Sequence, residues 1–268
     1  MHDDLSTLPP DARLRPTSHR GAEILDLVTR AGGTMRIHSI AEALDVSEET
    51  VRRNVRRLSD DGLVHKVHGG VLLQYGSTEL SFAQRMGENP LAKQRIAAHV
   101  AGLVSNGSSL FLDIGSTTAF IAEALKNHQE LLVVTNSVAV AHSLAARNNN
   151  RVFMPGGELR SHDGGIFGSH VLEFIQEFRT DFAILSTAAI NARHGFMLFD
   201  LEEARYSRAI MTNAATRIVA ADTSKFGRSA PIALDAPSAV DLLITNARPP
   251  KDIEDAARIW GTEIVIAS

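Results

Sequence analysis

The stretch SIAEALDVSEETVRRNVRRLSDDGLVHKVHGG, residues 39–70 of this 268-residue chain, decides the fold of its N-terminal part. Ile40, Ala43 and Leu44 recur at the i, i+3, i+4 spacing of one buried helical stripe. A break follows, and Ser47 is a favourable N-cap for another helix. The sequence therefore predicts two short helices joined by a tight turn. The same spacing upstream predicts a preceding helix whose buried stripe is Ile24, Leu27 and Val28.

The helix that Ser47 would cap has one apolar face and one basic face. Its buried stripe is Val51, Val55 and Leu58, and its expected exposed face is Arg52, Arg53, Asn54, Arg56 and Arg57. Like charges at i,i+4 on this face cost roughly 0.2–0.5 kcal/mol per pair in an isolated helix. A polyanion removes that repulsion, because guanidinium groups bridge phosphate oxygens and pair with guanine edges. Residues 51–68 hold five Lys and Arg against two Asp, whereas the whole chain carries −4, so the basic charge is local.

A small hairpin is predicted directly after this helix. Gly62 supplies a helix stop, and residues 63–67 and 71–73 form two short apolar strands around a glycine turn. Lys66 and His68 then lie where a DNA-binding wing meets phosphate. The alternative is a three-helix surface module whose charged face is only solvated.

The segment VSEETVRRNVRRLSDDGLVHKVHGG resembles the DeoR family of bacterial transcriptional regulators. The resemblance implies an N-terminal winged helix-turn-helix followed by a sugar-phosphate-sensing domain. Asn54 replaces the aspartate of the usual pattern, and Lys66 replaces a common arginine, so we expect the preferred operator to differ. The residues expected to face DNA are Ser47, Thr50, Arg52, Arg53, Asn54, Arg56, Arg57, Lys66, His68, Gly69 and Gly70.

Composition is ordinary for a globular chain, with 44% hydrophobic, 22% charged and 5% aromatic residues. No run approaches the ~20 apolar residues of a membrane span, so we expect a cytoplasmic protein with no membrane partner. The chain has no cysteine, and its 11 histidines show no metal-ligand spacing. We expect neither a metal nor a cofactor.

The predicted organisation has four parts. A disordered lead-in covers residues 1–18, the winged helix-turn-helix domain 19–75, a linker 76–92 and the effector-binding domain 93–268. Within the last part, a helix is expected around Ile96, Val100 and Val104. Beyond it, the apolar runs LFLD, LLVVT, RVFMP, FAILSTA, RIVAAD, LLIT and EIVIA alternate with helical patterns. This alternation predicts an α/β fold with a mainly parallel sheet covered on both faces.

Ligands of such sheets bind beyond the carboxyl ends of the strands. Four strand ends here are polar or glycine-rich, namely residues 113–118, 135–137, 156–165 and 222–227. A helix start suits a phosphate, and Arg160 offers a bidentate anion partner. Each segment alone also fits an ordinary loop, but four together favour an anion site.

The resemblance extends through DIGSTT, VVTNS, GGELRSHDGG, FDLEEARYSRAI and DTSKFGRSA, which look like the effector domain of the DeoR family. It implies a fold similar to ribose-5-phosphate isomerases and a phosphorylated sugar or polyol ligand, such as glycerol 3-phosphate. It assigns the phosphate to Gly115, Ser116, Thr117 and Thr118. The polyol is assigned to Asp113, Asn136, Arg160, Asp222 and Lys225, with Gly156 and Gly157 nearby. Residues 186–191 depart from a glycine-containing pattern, so we expect a changed pocket.

The leading hypothesis is a repressor of a carbohydrate or polyol catabolic operon. We expect it to bind a palindromic operator of double-stranded DNA as a homo-oligomer, a dimer or a tetramer, and to release it when the effector binds. One competing hypothesis is a phosphosugar isomerase-like enzyme with an attached DNA-binding domain, using Asp113, Glu203, Asp222 and Lys225 for acid-base chemistry. Another is a nucleoid-type DNA binder without a ligand, which the size of the second domain disfavours.

Overall fold

A computed structural model describes residues 18–31, 34–61, 63–67, 69–73 and 82–267 of the chain. The chain divides into two compact units, Met1–Thr78 and Glu79–Ser268. Nearly all of the predicted lead-in, as well as Gly62 and His68, lies outside the described residues. Each unit is considered by itself below.

The first unit contains the predicted helix-turn-helix and hairpin. Its elements are α1 (His19–Arg30), β1 (Thr34–Arg36), α2 (Ile37–Ala43), α3 (Glu48–Asp60), β2 (Val64–Val67) and β3 (Gly70–Leu73). The strands form an antiparallel sheet in the order β1-β3-β2, in which β1 was not expected from the sequence. Ile24, Val28, Ile40, Val51 and Val55 are buried as predicted. Ala43 is exposed, because Ile37 and Ala41 complete the buried face of α2 instead.

The second unit is built mainly from strands alternating with helices. Its elements are α4 (Phe82–Gly87), α5 (Pro90–Leu103), β4 (Ser109–Leu112), α6 (Ser116–Ala124), β5 (Leu132–Thr135), α7 (Val138–Leu144), β6 (Arg151–Phe153), α8 (Ser169–Gln176), β7 (Thr180–Leu185), β8 (Ala189–Asn191), β9 (Gly195–Leu198), α9 (Leu201–Thr212), β10 (Ala214–Ala220), β11 (Ile232–Ala233), β12 (Leu242–Thr245), α10 (Lys251–Trp260) and β13 (Glu263–Ile266). Short 3₁₀ turns cover Leu125–Asn127, Thr223–Lys225 and Pro237–Ala239.

Seven of these strands form one sheet in the order β13-β12-β10-β7-β4-β5-β6, and all neighbours are parallel. They are the seven strands predicted from the apolar runs. From β4 the chain winds outward to β5 and β6, then returns to β7 on the other side. The order therefore reverses between β4 and β7, the place where doubly wound sheets bind ligands.

Alternating side chains on these strands build a core on each face of the sheet. Leu110 and Leu112 face one core, which α5, α6 and α7 cover with residues such as Ile96, Ile121 and Val140. Phe111 faces the other core, which α8, α9 and α10 cover. Because helices cover both faces of the sheet, most side chains of the central strands are apolar.

Two parts of the second unit differ from the sequence prediction. In the described part of the predicted linker 76–92, the structure has α4 and the start of α5, and Arg85 on α4 is buried. A separate antiparallel sheet, β11-β9-β8, follows β7. Within the described residues, none of the helices has the length and hydropathy needed to cross a bilayer.

Candidate DNA-binding surface and candidate ligand site

The start of α3 is fixed by its own side chains. Ser47 is the N-cap, and its Oγ accepts a hydrogen bond from the backbone N–H of Thr50 at 3.3 Å. The hydroxyls of Ser47 and Thr50 also lie 3.0 Å apart. Two of the expected DNA-facing residues therefore stabilise the helix start. The first turn of α3 also carries Glu48 and Glu49, whose negative charges are favourable near the positive end of the helix dipole.

All four arginines of α3 lie exposed on one side of the helix. Arg52 donates from Nη2 to Glu48 Oε2 at 2.6 Å, one helical turn earlier. Glu48 is in turn 3.2 Å from Nδ1 of His38 on α2. Arg53, Arg56 and Arg57 complete the basic face, as the sequence predicts.

Asn54 is the exception on α3, and its predicted exposed position is wrong. The residue is only 7% exposed, and its Nδ2 donates to the carbonyl of Thr50 at 2.8 Å. Its position three residues after Val51 places it in the buried stripe, because residues at i and i+3 share a helix face. An effect of Asn54 on DNA recognition would therefore act through the placing of α3.

The turn between β2 and β3 needs glycine at both described positions. Gly69 is exposed and has φ +74°, a conformation that favours glycine. Gly70 is buried, and a Cβ there would lie 2.9 Å from the carbonyl oxygen of Met35 on β1. Gly70 thus allows β3 to pair with β1. Lys66 is exposed on β2, as a phosphate contact requires, whereas the predicted contact of His68 falls outside the described residues.

In the second unit, the connections that follow β4 and β7 touch at the reversal of strand order. The backbone N–H of Ser186, directly after β7, donates to Asp113 Oδ2 at 2.9 Å. Gly115 makes the approach possible, since a Cβ there would lie 2.1 Å from Ser186 Oγ and 2.9 Å from Ser186 Cβ. Burial raises the pKa of Asp113 well above its usual value, and the charge of Glu203 adds to this effect.

The first turn of α6 borders this crevice. Ser116, Thr117 and Thr118 are all buried, and the Thr118 hydroxyl donates to the carbonyls of Asp113 at 2.9 Å and Gly115 at 3.0 Å. Thr118 therefore fixes the turn. The backbone N–H groups at the helix start keep the orientation that suits an anion.

Three of the predicted residues lie in the segment 156–168, after β6. His170 of α8 hydrogen-bonds to the carbonyl of Gly156 at 2.8 Å. A Cβ at Gly157, whose φ is +142°, would lie 3.0 Å from Nε2 of the same histidine. These contacts pack both glycines against α8.

Arg160 is surrounded by carboxylates. Its Nη2 donates to both Asp163 and Glu203, and its Nη1 lies 3.2 Å from Asp200. Its guanidinium also stacks over the Phe167 ring, 4.2 Å from the ring centroid. Burial alone would lower the pKa of Arg160, but these acidic partners raise it. The forked donor that the sequence offers to an anion is thus occupied by carboxylates.

A group of cations lies near the carboxyl end of β10. Lys93 on α5 is 2% exposed, and its ammonium donates to the carbonyl of Arg85 on α4. Burial and the charge of Lys225 lower the pKa of Lys93 to about 8, while Asp222 opposes the shift. Asp222 caps the Thr223–Lys225 turn and accepts from Asn89 Nδ2 at 3.1 Å. Sequence reasoning found Asp222 and Lys225 but missed Arg85 and Lys93, which look like solvent-facing cations.

The segment 186–191, expected to change the pocket, divides into two parts. Ser186 lies against Asp113 and Gly115. Thr187 donates to the carbonyl of Met197, and Asn191 accepts from the backbone N–H groups of Arg193 and His194 in the β8–β9 turn. Within the described residues, positive φ angles do not occur in this segment. Ser186 thus contacts the connection after β4, while Ile190 pairs with Phe226 in the 222–227 segment.

A helix-turn-helix unit with a basic face, joined to a parallel α/β unit with a polar crevice, defines the class of DNA-binding regulators with a sensor domain. Two family descriptions match the chain: the DeoR-like helix-turn-helix domain over residues 20–75, and the DeoR C terminal sensor domain over residues 88–247. The chain belongs to the DeoR family.

Curated relatives place it among repressors. It is 39% identical to the glycerol-3-phosphate regulon repressor of Escherichia coli (strain K12), over 88% of this chain and 92% of that protein. It is 35% identical to the HTH-type transcriptional repressor CsqR of the same strain, over 92% and 94% of the two chains. The chain is accordingly a transcriptional repressor and not an enzyme.

Solved structures resemble it more distantly. A probable sor operon regulator from Shigella flexneri matches with a TM-score of 0.43 and 14% identity, over 68% of this chain and 91% of that one. Ribose 5-phosphate isomerase A from Methanocaldococcus jannaschii matches with a TM-score of 0.38 and 17% identity, over 52% and 55%.

The close approach at Gly115 predicts a steric effect on stability. Gly115→Ala should lower the free energy of unfolding by about 1–3 kcal/mol, because the new Cβ meets Ser186 Cβ as well as the rotatable Oγ. Ser186→Gly should restore most of the loss in the double variant. Gly156→Ala, where a Cβ meets nothing within 4 Å, is the control. Urea unfolding is measured for the unaltered protein, the Gly115→Ala variant, the double variant and the Gly156→Ala control. An unchanged unfolding midpoint in the Gly115→Ala variant would contradict the assigned contact.

The basic face of α3 predicts different effects for neighbouring residues. Arg53→Ala and Arg56→Ala should each weaken DNA binding by about 1–3 kcal/mol, and a phosphate contact should also reduce the salt slope by about 1. Arg205→Ala, which removes an exposed arginine paired with Glu202 in the second unit, should change neither. Fluorescence anisotropy on the chain's own upstream DNA at several salt concentrations is the measurement. If both α3 variants bind like the unaltered protein, α3 is not the recognition helix.

Proposed function

We propose that this repressor releases its operator when a phosphorylated polyol or sugar, such as glycerol 3-phosphate, binds at the carboxyl edge of the parallel sheet. The observation that carries the proposal is the buried Lys93, grouped with Arg85 and Lys225 around Asp222. Asp222 and Glu88 oppose the effect of burial and of the neighbouring cations on Lys93, but the pKa of its ammonium is still lowered, so the buried charge is not fully offset within the protein. A dianionic phosphate offsets the remaining charge.

The start of α6 supports the same position for the phosphate. Arg85 lies close enough to Asp113 for its charge to lower the carboxyl pKa, and Asp113 immediately precedes the turn into α6. The cations and the N–H groups of Gly115, Ser116 and Thr117 therefore serve one anion together. Arg160 is assigned a different task, because its guanidinium already joins the 156–168 segment to α9.

The polyol end of the ligand is assigned to the polar residues beyond β4 and β5. Asp113 and Asn136 follow neighbouring strands in register, and both are buried. The relative named as a glycerol-3-phosphate regulon repressor supports a small polyol phosphate. A lactose phosphotransferase system repressor of Staphylococcus aureus (strain N315), 30% identical over 77% of this chain, keeps larger sugar phosphates among the candidates.

Release of the operator by the effector requires only that the effector binds one state of the protein more tightly than the other. A coupling of about 1–3 kcal/mol changes operator affinity roughly 5–150-fold. We further propose residues 19–75 as the DNA-binding domain and 93–268 as the sensor. A homo-oligomer with two-fold symmetry would match a palindromic operator of double-stranded DNA.

Lys93→Met tests the phosphate assignment. The variant removes the ammonium but keeps an unbranched side chain, so we expect intact operator binding and a loss of effector response of at least about 10-fold. Gel shifts with glycerol 3-phosphate and a panel of sugar phosphates measure the response. Lys251→Met, at an exposed lysine paired with Asp255 on α10, is the matched control. If no phosphate ester releases the unaltered protein from DNA, the proposed function is wrong.

The lowered pKa of Lys93 also predicts a pH dependence. A bound anion favours the ammonium, so affinity should fall as Lys93 loses its proton above about pH 8. Above pH 7 the phosphate ester is already largely a dianion. Calorimetry at pH 7 and pH 9 should therefore show roughly 10-fold weaker binding at the higher pH, and Lys93→Met should abolish the difference. Equal affinities at both pH values would remove Lys93 from the site.

A further inference from the structure

Three buried polar atoms near the reversal point make no hydrogen bond of ordinary geometry within the described residues. They are Oδ1 of Asp113, Oδ1 of Asn136 and the hydroxyl of Tyr206. Each belongs to a residue that is at most 4% exposed. Leaving such a group unsatisfied costs about 1–3 kcal/mol, so a cluster of three needs an explanation.

The three atoms come from different elements that meet at one place. Asp113 follows β4 and Asn136 follows β5, the adjacent parallel strand, in which Thr135 pairs with Leu112. Tyr206 comes from α9, on the face that covers this end of the sheet. The charge of Asp113 reaches the Tyr206 hydroxyl and helps burial to raise its pKa.

Each of the three side chains is held by one contact, while another of its polar atoms makes no hydrogen bond of ordinary geometry. Asp113 Oδ2 accepts from Ser186, and Asn136 Nδ2 donates to the carbonyl of Ile166 at 3.4 Å. The Tyr206 ring packs edge-on against Phe167, with 6.5 Å between the ring centroids. The backbone N–H of Asn136 interacts with the Tyr206 hydroxyl, and the Thr118 hydroxyl interacts with the Asp113 carboxyl, so each of these two groups is only partly satisfied. The side chains are therefore held in place with their remaining polar atoms unused.

We propose that Tyr206, with Asp113 and Asn136, forms a subsite for vicinal hydroxyl groups of the ligand, and that Tyr206 selects hydroxylated phosphate esters over plain ones. The inference rests on the proposed function and deepens it. A vicinal diol matches the subsite, because one hydroxyl can donate to the Asp113 carboxyl oxygen while the adjacent hydroxyl donates to Asn136 Oδ1 and accepts from the Tyr206 hydroxyl. A site built to hydrogen-bond a hydroxyl rejects the analogue that lacks it, because its buried polar groups then stay unpaired.

Contacts of α9 hold Tyr206 in position at this subsite. Glu203 lies one turn before Tyr206 and accepts from Arg160. Arg160 in turn stacks on Phe167, the ring that Tyr206 contacts. The carboxylate cluster around Arg160 thus positions Tyr206 by holding α9 and the 156–168 segment together.

The test compares two ligands that differ only in hydroxyl groups, glycerol 3-phosphate and n-propyl phosphate. We expect the unaltered protein to prefer glycerol 3-phosphate. Tyr206→Phe removes one oxygen and should weaken glycerol 3-phosphate binding about 10-fold, while the affinity for n-propyl phosphate stays the same. Thr245→Val is the matched control, since Thr245 has another buried hydroxyl without a described partner, at the end of β12. It should change neither affinity.

Calorimetry on the full chain, with thermal unfolding alongside, distinguishes the outcomes. If Tyr206→Phe keeps the preference for glycerol 3-phosphate, or loses affinity for both ligands equally, Tyr206 is a core residue and the subsite proposal is wrong. A change in melting temperature alone, with both affinities unchanged, would show that a buried water satisfies these atoms and would equally overturn it. Binding of neither ligand to the unaltered protein would overturn the subsite proposal, whereas the proposed function fails only if no phosphate ester of the wider panel releases the operator.

Discussion

At the reversal of strand order, β4 and β7 send their connections to opposite faces of the sheet. The backbone N–H of Ser186 donates to the Asp113 carboxylate, and the missing side chain of Gly115 lets the two connections meet. A buried carboxylate is costly, and one hydrogen bond offsets only part of its lost hydration. The start of α6 depends on this contact, because Asp113 and Gly115 lead directly into the first turn of the helix.

The charges around the crevice are arranged in two groups that differ in balance. Arg160 is outnumbered by Asp163, Asp200 and Glu203, so its charge is neutralised within the protein. Near β10 the three cations Arg85, Lys93 and Lys225 lie with two carboxylates, Asp222 and Glu88; burial first, and then repulsion from the other cations, lowers the pKa of Lys93. An incoming dianion gains more from the second group than from the first. This difference supports the proposed phosphate position at the start of α6, where the family resemblance assigns it, and gives Arg160 a structural task instead of the polyol contact that the resemblance implies.

The sequence predicts the frame of this protein better than its site. All seven parallel strands were found, because buried parallel strands form continuous apolar runs between polar turns. The strands β8, β9 and β11 were missed, since pieces of two to four residues give no periodicity. Asp113 and Asn136 can be predicted as candidate site residues, because each is a polar residue directly after an apolar strand. Lys93 was not, because a lysine in a helix normally indicates solvent, and its burial depends on distant packing. Asn54 was predictable, since it stands three residues after Val51.

Unpaired polar groups give the sensor unit a physical means of responding to its ligand. Each buried atom without a partner destabilises the empty unit, and a ligand that supplies the partner recovers that free energy. If such a bond forms in only one of the two states of the protein, it is comparable to the 1–3 kcal/mol that an allosteric effect requires. This binding free energy comes from new hydrogen bonds to Asp113, Asn136 and Tyr206. Only a ligand whose hydroxyl groups match the positions of these side chains gains it. Specificity and response strength therefore have a common origin in the residues beyond β4 and β5.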